Sequence, residues 1–146
     1  MGWWRTAPRW VVLTTVAIAV VFLGVGTVTH VTDFLSGGLM SHPWAPRWLN
    51  LYWTSLAIAD TTAGVLLLAG RRRGIELAMA IMVTDLLANA YAAVVVRNEE
   101  LLAEPGMVRI AAFTAVVLVI GPLVRPHLRS GYWLYHCARE RSVSRE

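Results

Sequence analysis

Lysine is missing from this chain altogether, and cysteine is reduced to one residue, Cys137. A lone cysteine excludes an intramolecular disulfide and a CxxC redox pair. No Cys/His cluster has the spacing of a zinc site, so no metal is expected. No redox cofactor motif is present either. Charge is scarce: charged residues make up 15% of the 146, against 57% hydrophobic. A soluble domain of this size needs a polar surface to cover its core, and this sequence does not supply one. The pI of about 10.0 would point to nucleic acid in a soluble protein. Here all thirteen basic residues are arginines, most of them flanking apolar runs, and the positive-inside pattern of membrane proteins accounts for them without a nucleic-acid partner. The apolar runs are continuous rather than alternating, which excludes an outer-membrane barrel.

What the chain does have is four apolar runs, each near the ~20 residues that cross a ~30 Å hydrocarbon layer as a helix. Helices are expected over residues 10–31, 49–69, 75–96 and 108–124. The fold class read from them is an all-α integral membrane four-helix bundle, a single membrane domain over residues 1–146. Trp3, Trp4 and Trp10 beside Arg5 and Arg9 form an interfacial anchor ahead of the first helix. A signal peptide is the competing reading, but its apolar region would be too long and no A-x-A site follows. The stretch FLSGGLMSHPWAPRW reads as a loop, AGRRRG as a short turn and RNEELLAEPG as an acidic loop. The basic, aromatic tail over 125–146 is expected in the cytoplasm, part of it lying on the membrane surface. One side of the membrane collects Arg5, Arg9, Arg71, Arg72, Arg73, Arg125, Arg129, Arg139, Arg141 and Arg145. The other collects Arg47, Arg97 and Arg109. Both termini are therefore expected in the cytoplasm, with the protein multi-pass in the cytoplasmic (inner) membrane.

The second and third helices each carry one aspartate near the middle, Asp60 and Asp85. Antiparallel packing about the arginine turn would put both at one depth in the membrane. A charge there costs ~2.5–3.5 kcal/mol even on lenient scales, so an intramembrane acid is a functional-site hypothesis by default. Asp60 and Asp85 are the expected catalytic pair. Two such carboxyls in an apolar layer do not both stay ionised cheaply, and a protonated acid beside an ionised one is equipped for general acid–base work. No lysine or arginine is expected within the membrane to neutralise them. Asp85 and Asn89, four apart, share a helical face. His30, Asp33, Asn50, Trp53 and Asn89 complete an expected ligand-binding set in a pocket opening outward or sideways to lipid. For Asn50, Asn89 and Trp53, cap, packing and anchor are the plainer roles, and His42, His127, His136 and Cys137 receive none. The fourth helix, with Thr114 and Pro122 but no acid, is assigned to packing. The plainer alternative for the aspartates is that each hydrogen-bonds a neighbour such as Thr61, Thr62 or Thr84. Such intramembrane bonds give only ~0.6 kcal/mol on average, so they seldom justify an acid where Asn or Ser would serve.

The GVGTVTH ending of the first helix, the AGVLLLAG ending of the second, the basic turn and the small-residue third helix resemble the DoxX-like group of small four-helix bacterial membrane proteins, over roughly residues 20–95. That group often has a glutamate in its second helix, where this chain has Asp60. The resemblance implies association with membrane oxidoreductase complexes and quinone-linked chemistry. The architecture is also similar to the sterol-isomerase and sigma-2 receptor type, in which intramembrane acids surround a lipophilic ligand. The leading expectation is a binder of a small lipophilic molecule, working as an isomerase or cyclase by proton transfer. The alternatives are a proton-coupled exporter acting as a homodimer or larger oligomer, and an accessory subunit with a membrane partner.

Overall fold

The computed structural model describes residues 3–101 and 105–129. The described residues are mostly helical, and four helices among them are long and apolar enough to cross a membrane: α1 (Arg9–Met40), α2 (Arg47–Leu68), α3 (Arg72–Val96) and α4 (Pro105–His127). Proline marks three of the four starts. Pro8 and Pro46 directly precede α1 and α2, and Pro105 opens α4. A proline there loses no helical hydrogen bond and presets φ for the first turn.

α1 runs further than expected. Its 32 residues at 1.5 Å each span about 48 Å, beyond a ~30 Å hydrocarbon layer. The sequence between Val31 and Ser36 contains no helix breaker. The helix stops only at Gly38, whose φ of 64° is left-handed, and a tight turn carries it to Met40. The connection to α2 therefore shrinks to residues 41–46, and His30 and Asp33 lie on continuous helix rather than at its end.

α2 ends in a Schellman arrangement. Arg71 N donates to Leu66 O at 2.8 Å and Gly70 N to Leu67 O at 2.9 Å, with Gly70 at φ 65°. A Cβ on Gly70 would run into the Trp3 ring, whose Nε1 donates to Leu68 O at 2.9 Å. A Cβ on Gly74 would meet the backbone of Leu66 and Leu67, so α2 and α3 leave the turn in close approach. The segment after α4 closes the same end: Arg72 N donates to Arg129 O, Arg129 N to Gly70 O, and Arg125 pairs with Glu76 at 2.6 Å.

α1 packs along α2, α2 along α3 and α3 along α4, whereas α1 and α4 touch sparingly. Val11, Leu67, Ile75, Val117 and Val124, contributed by all four helices, are fully buried and form a packed layer toward the arginine-rich end. Gly70→Ala combines a left-handed backbone, costing ~1–2 kcal/mol for a residue with a Cβ, with a collision against Trp3. We expect it to lower the thermal unfolding midpoint in detergent; an unchanged midpoint would show that the turn does not depend on Gly70.

Candidate functional site

Halfway along α1 the backbone widens into a π-helical stretch, Phe22–Thr27, with Thr27 Oγ1 donating to Phe22 O at 3.0 Å. π-stretches recur at functional sites because they break helical regularity. Gly26 lies in this one, directly opposite Asp60 of α2. A Cβ on Gly26 would overlap the Asp60 carboxyl. Asp60 is only 4% exposed, and its Oδ1 is buried with no hydrogen-bond partner among the described residues. His30 Nε2 stands 3.8 Å from Asp60 Oδ2, too far for a direct hydrogen bond.

Asp85 on α3 is held differently. Asn89, one turn on, donates Nδ2 to Asp85 Oδ1 and to Asp85 O, both at 2.9 Å. The threonines that were the alternative partners are spent elsewhere. Thr61 donates to Ala57 O, Thr62 to Ile58 O and Thr84 to Ala80 O, and Thr84 also accepts from Tyr52 Oη at 2.9 Å. None of them holds either aspartate.

Two cavities meet at Asp85, and Asp60 lines one of them. A lateral cleft of about 280 Å³ runs between α1 and α4, with Val21, Phe22, Val25 and Phe113 as walls and Asp60, Asp85 and Met82 deeper in. Phe22 and Phe113 face each other across it, ring centroids 6.1 Å apart. An outer chamber of about 430 Å³ is lined by His30, Asp33, His42, Trp44, Trp53, Asp85, Asn89 and Arg97, among others. Asp85 and Ile110 belong to both.

Of the expected ligand-binding residues, His30, Asp33, Trp53 and Asn89 line the outer chamber, and Asn50 lines neither cavity. The Asn50 side chain is used by the α1–α2 connection: Oδ1 accepts from His42 N at 2.9 Å, and Nδ2 donates to His42 O and Ala45 O at 2.9 and 3.1 Å. Trp53 is buried against His42 and Trp44, at 5.0 and 6.0 Å between centroids.

Three lining residues went unrecognised in the sequence. His42, given no role above, lies in the chamber wall between Trp44 and Trp53. Arg97 stands 5.1 Å over the Trp44 ring and pairs with Glu99 at 2.8 Å. Arg109, in the second turn of α4, is a lining residue of the cleft that Asp60 and Asp85 also line. A long arginine stem spans apolar surface while its head seeks polar groups. The signal available was that Arg109 lies inside an apolar run rather than in front of it.

Among the described residues, no three His, Cys, Asp or Glu side chains gather as a metal site. Glu104 and the tail from residue 130 on, with His136 and Cys137, lie outside the described residues. Comparison with family models, curated proteins and solved structures finds no match to this chain.

The seat of Asp60 yields a paired test. Gly26→Ala must displace the carboxyl, whereas Gly24→Ala meets nothing within 4 Å. We expect Gly26→Ala to lower the unfolding midpoint by several degrees, an effect of ~1–3 kcal/mol, and Gly24→Ala to leave it unchanged or raise it. Equal midpoints would show that α1 does not bear on Asp60.

Proposed function

We propose that this protein is a four-helix membrane bundle, both termini cytoplasmic, that binds a small lipophilic molecule in the cleft between α1 and α4 and acts on it by proton transfer at Asp60 and Asp85. The observation that carries this reading is Asp60 itself: a carboxyl almost fully buried, its Oδ1 without a hydrogen-bond partner among the described residues, at an apolar-walled cavity shared with a second carboxyl. Unsatisfied buried polar groups are costly and persist where function requires them.

The two acids have unequal settings suited to unequal roles. Asp85 is steadied by Asn89, while Asp60 Oδ1 has no hydrogen-bond partner among the described residues. One carboxyl delivering a proton to an unsaturated carbon while the other removes one from a neighbouring carbon shifts a double bond or closes a ring. Protons balance and no electrons leave the ligand. The cleft volume is near the lower limit of small-molecule cavities, ~300 Å³, which suits a compact ring system entering from the bilayer.

An exporter would expose the acids in turn to both sides. The packed layer of Val11, Leu67, Ile75, Val117 and Val124 toward the arginine-rich end favours a pocket over a pathway. The resemblance to DoxX-like proteins keeps an accessory-subunit role as the rival, in which a partner rather than a ligand would co-purify.

Orientation rests on charge. Arg5, Arg9, Arg71, Arg72, Arg73, Arg125 and Arg129 belong to the end closed by Trp3 and Gly70, and Arg47, Arg97 and Arg109 to the other half. The positive-inside rule sets the first end in the cytoplasm. Cysteines introduced at Ser41 and Glu100 should then label with an impermeant thiol reagent added to intact cells; protection of both, with labelling at Arg71→Cys, would invert the topology.

The ligand is tested by solvent extraction of protein purified from its membrane, followed by mass spectrometry. Wild type should release a compound that Asp60→Asn and Asp85→Asn preparations lack, with both variants folding as stably as wild type. Phe113→Ala, which removes one wall of the cleft, should retain it in reduced amount. Wild type releasing the same lipids as both variants, in the same proportions, would refute the site.

A further inference from the structure

Asp60 lines the lateral cleft and has no part in the wall of the outer chamber. The side chain that joins the two is His30, which lines the chamber while its Nε2 stands 3.8 Å from Asp60 Oδ2. Its other ring nitrogen, Nδ1, is buried and has no hydrogen-bond partner among the described residues. A histidine that only packs has its ring nitrogens satisfied by fixed neighbours. A ring with one nitrogen toward a carboxyl and the other unspent is what proton passage requires, because imidazole accepts at one nitrogen and donates at the other.

We infer that His30 is a proton relay between the outer chamber and Asp60, so that the acid in the cleft exchanges its proton with outside water through this ring. Nδ1 is buried in this conformation, so the ring tips toward the chamber, where a hydronium ion gives its proton to Nδ1, and the Nε2 proton then passes to the Asp60 carboxylate. One proton enters, one leaves, and the ring ends as the other neutral tautomer. Turning the ring over, or the reverse passage, resets it. The gap of 3.8 Å closes with a small side-chain shift or one bridging water. The charged and titratable groups around the path come from every element: Asp33 on α1, His42 in the α1–α2 connection, Asp60 on α2, Asp85 and, just past it, Arg97 on the α3 side, and Arg109 on α4. His30 acts through Asp60 and need not touch the ligand. The inference rests on the proton chemistry proposed for Asp60, but its test uses no ligand.

Infrared spectroscopy of the full chain in liposomes follows the carbonyl stretch of the protonated Asp60 carboxyl, assigned by its loss in Asp60→Asn, after transfer to deuterated buffer. In wild type the band should shift promptly. In His30→Phe and His30→Gln it should shift roughly 10²-fold more slowly, the scale of a lost proton-transfer group. Added imidazole should restore the rate in His30→Ala, which a purely structural role for the ring does not explain. His127→Phe, altered against Trp10 and lining neither cavity, should match wild type. Exchange at the wild-type rate in both His30→Phe and His30→Gln, slowing by Asp85→Asn alone, or no Asp60 band in wild type would each overturn the relay. If His30 governs exchange while no lipophile co-purifies, the relay stands and the ligand reading falls.

Discussion

A carboxyl group enclosed among apolar helices, with no hydrogen bond from the described residues, constrains everything around Asp60. The helix opposite must withdraw to make room, and Gly26 is where it does so. The flanking hydroxyls of Thr61 and Thr62 turn back onto their own helix, so they do not relieve the carboxyl. α1 and α4 meet sparingly in front of it, with Phe22 and Phe113 as facing walls. Closing that gap would bury the acid completely, at a cost in hydrocarbon that a few more apolar contacts would not offset. The open seam between the first and last helices and the unbonded acid behind it are two aspects of one arrangement.

The two ends of the molecule differ as a consequence. Toward the arginine-rich end the helices are cross-tied by backbone bonds between the α2–α3 turn and the segment after α4, by Glu76 and Arg125, and by Trp3 lying on Gly70. Behind those ties lies the packed layer that includes Leu67 and Ile75. The other end is held by side chains rather than backbone: Asn50 gathers the α1–α2 connection, and Arg97 reaches from α3 over Trp44. Side chains make a roomier closure, and the outer chamber occupies the space they leave.

The four helices were legible because hydropathy and length report burial in hydrocarbon directly. The far end of α1 was not, since histidine, aspartate and serine look like a boundary while none of them breaks a helix; the left-handed Gly38 does. The relation of Asp85 to Asn89 was readable because it is local, one helical turn on one element. The relation of Asp60 to Gly26 was not, because it depends on which faces of two helices meet. For Asn50 the plainer role, a cap, fits its bonds to the α1–α2 connection, while its polarity and depth in the sequence equally fit a pocket. Arg97, Arg109 and His42 entered through reach and loop geometry, which no periodicity encodes.

Both helices that carry the chamber's polar groups also carry a π-helical stretch, Phe22–Thr27 in α1 and Ala92–Val96 in α3. Each such stretch places an extra residue in a turn, and one residue is about 100° of rotation on an α-helix. The faces before and after it are therefore out of phase by that amount. Ile18 and Ala19 face the core on one side of the α1 stretch, while His30 and Asp33 face the chamber on the other. Loss of a single residue from Phe22–Thr27 would let α1 return to regular helix and swing His30 and Asp33 off the chamber wall, with every helix still spanning its full length. Length, composition and hydropathy would be almost unaltered by such a deletion, and the chamber would lose its polar groups on the α1 side.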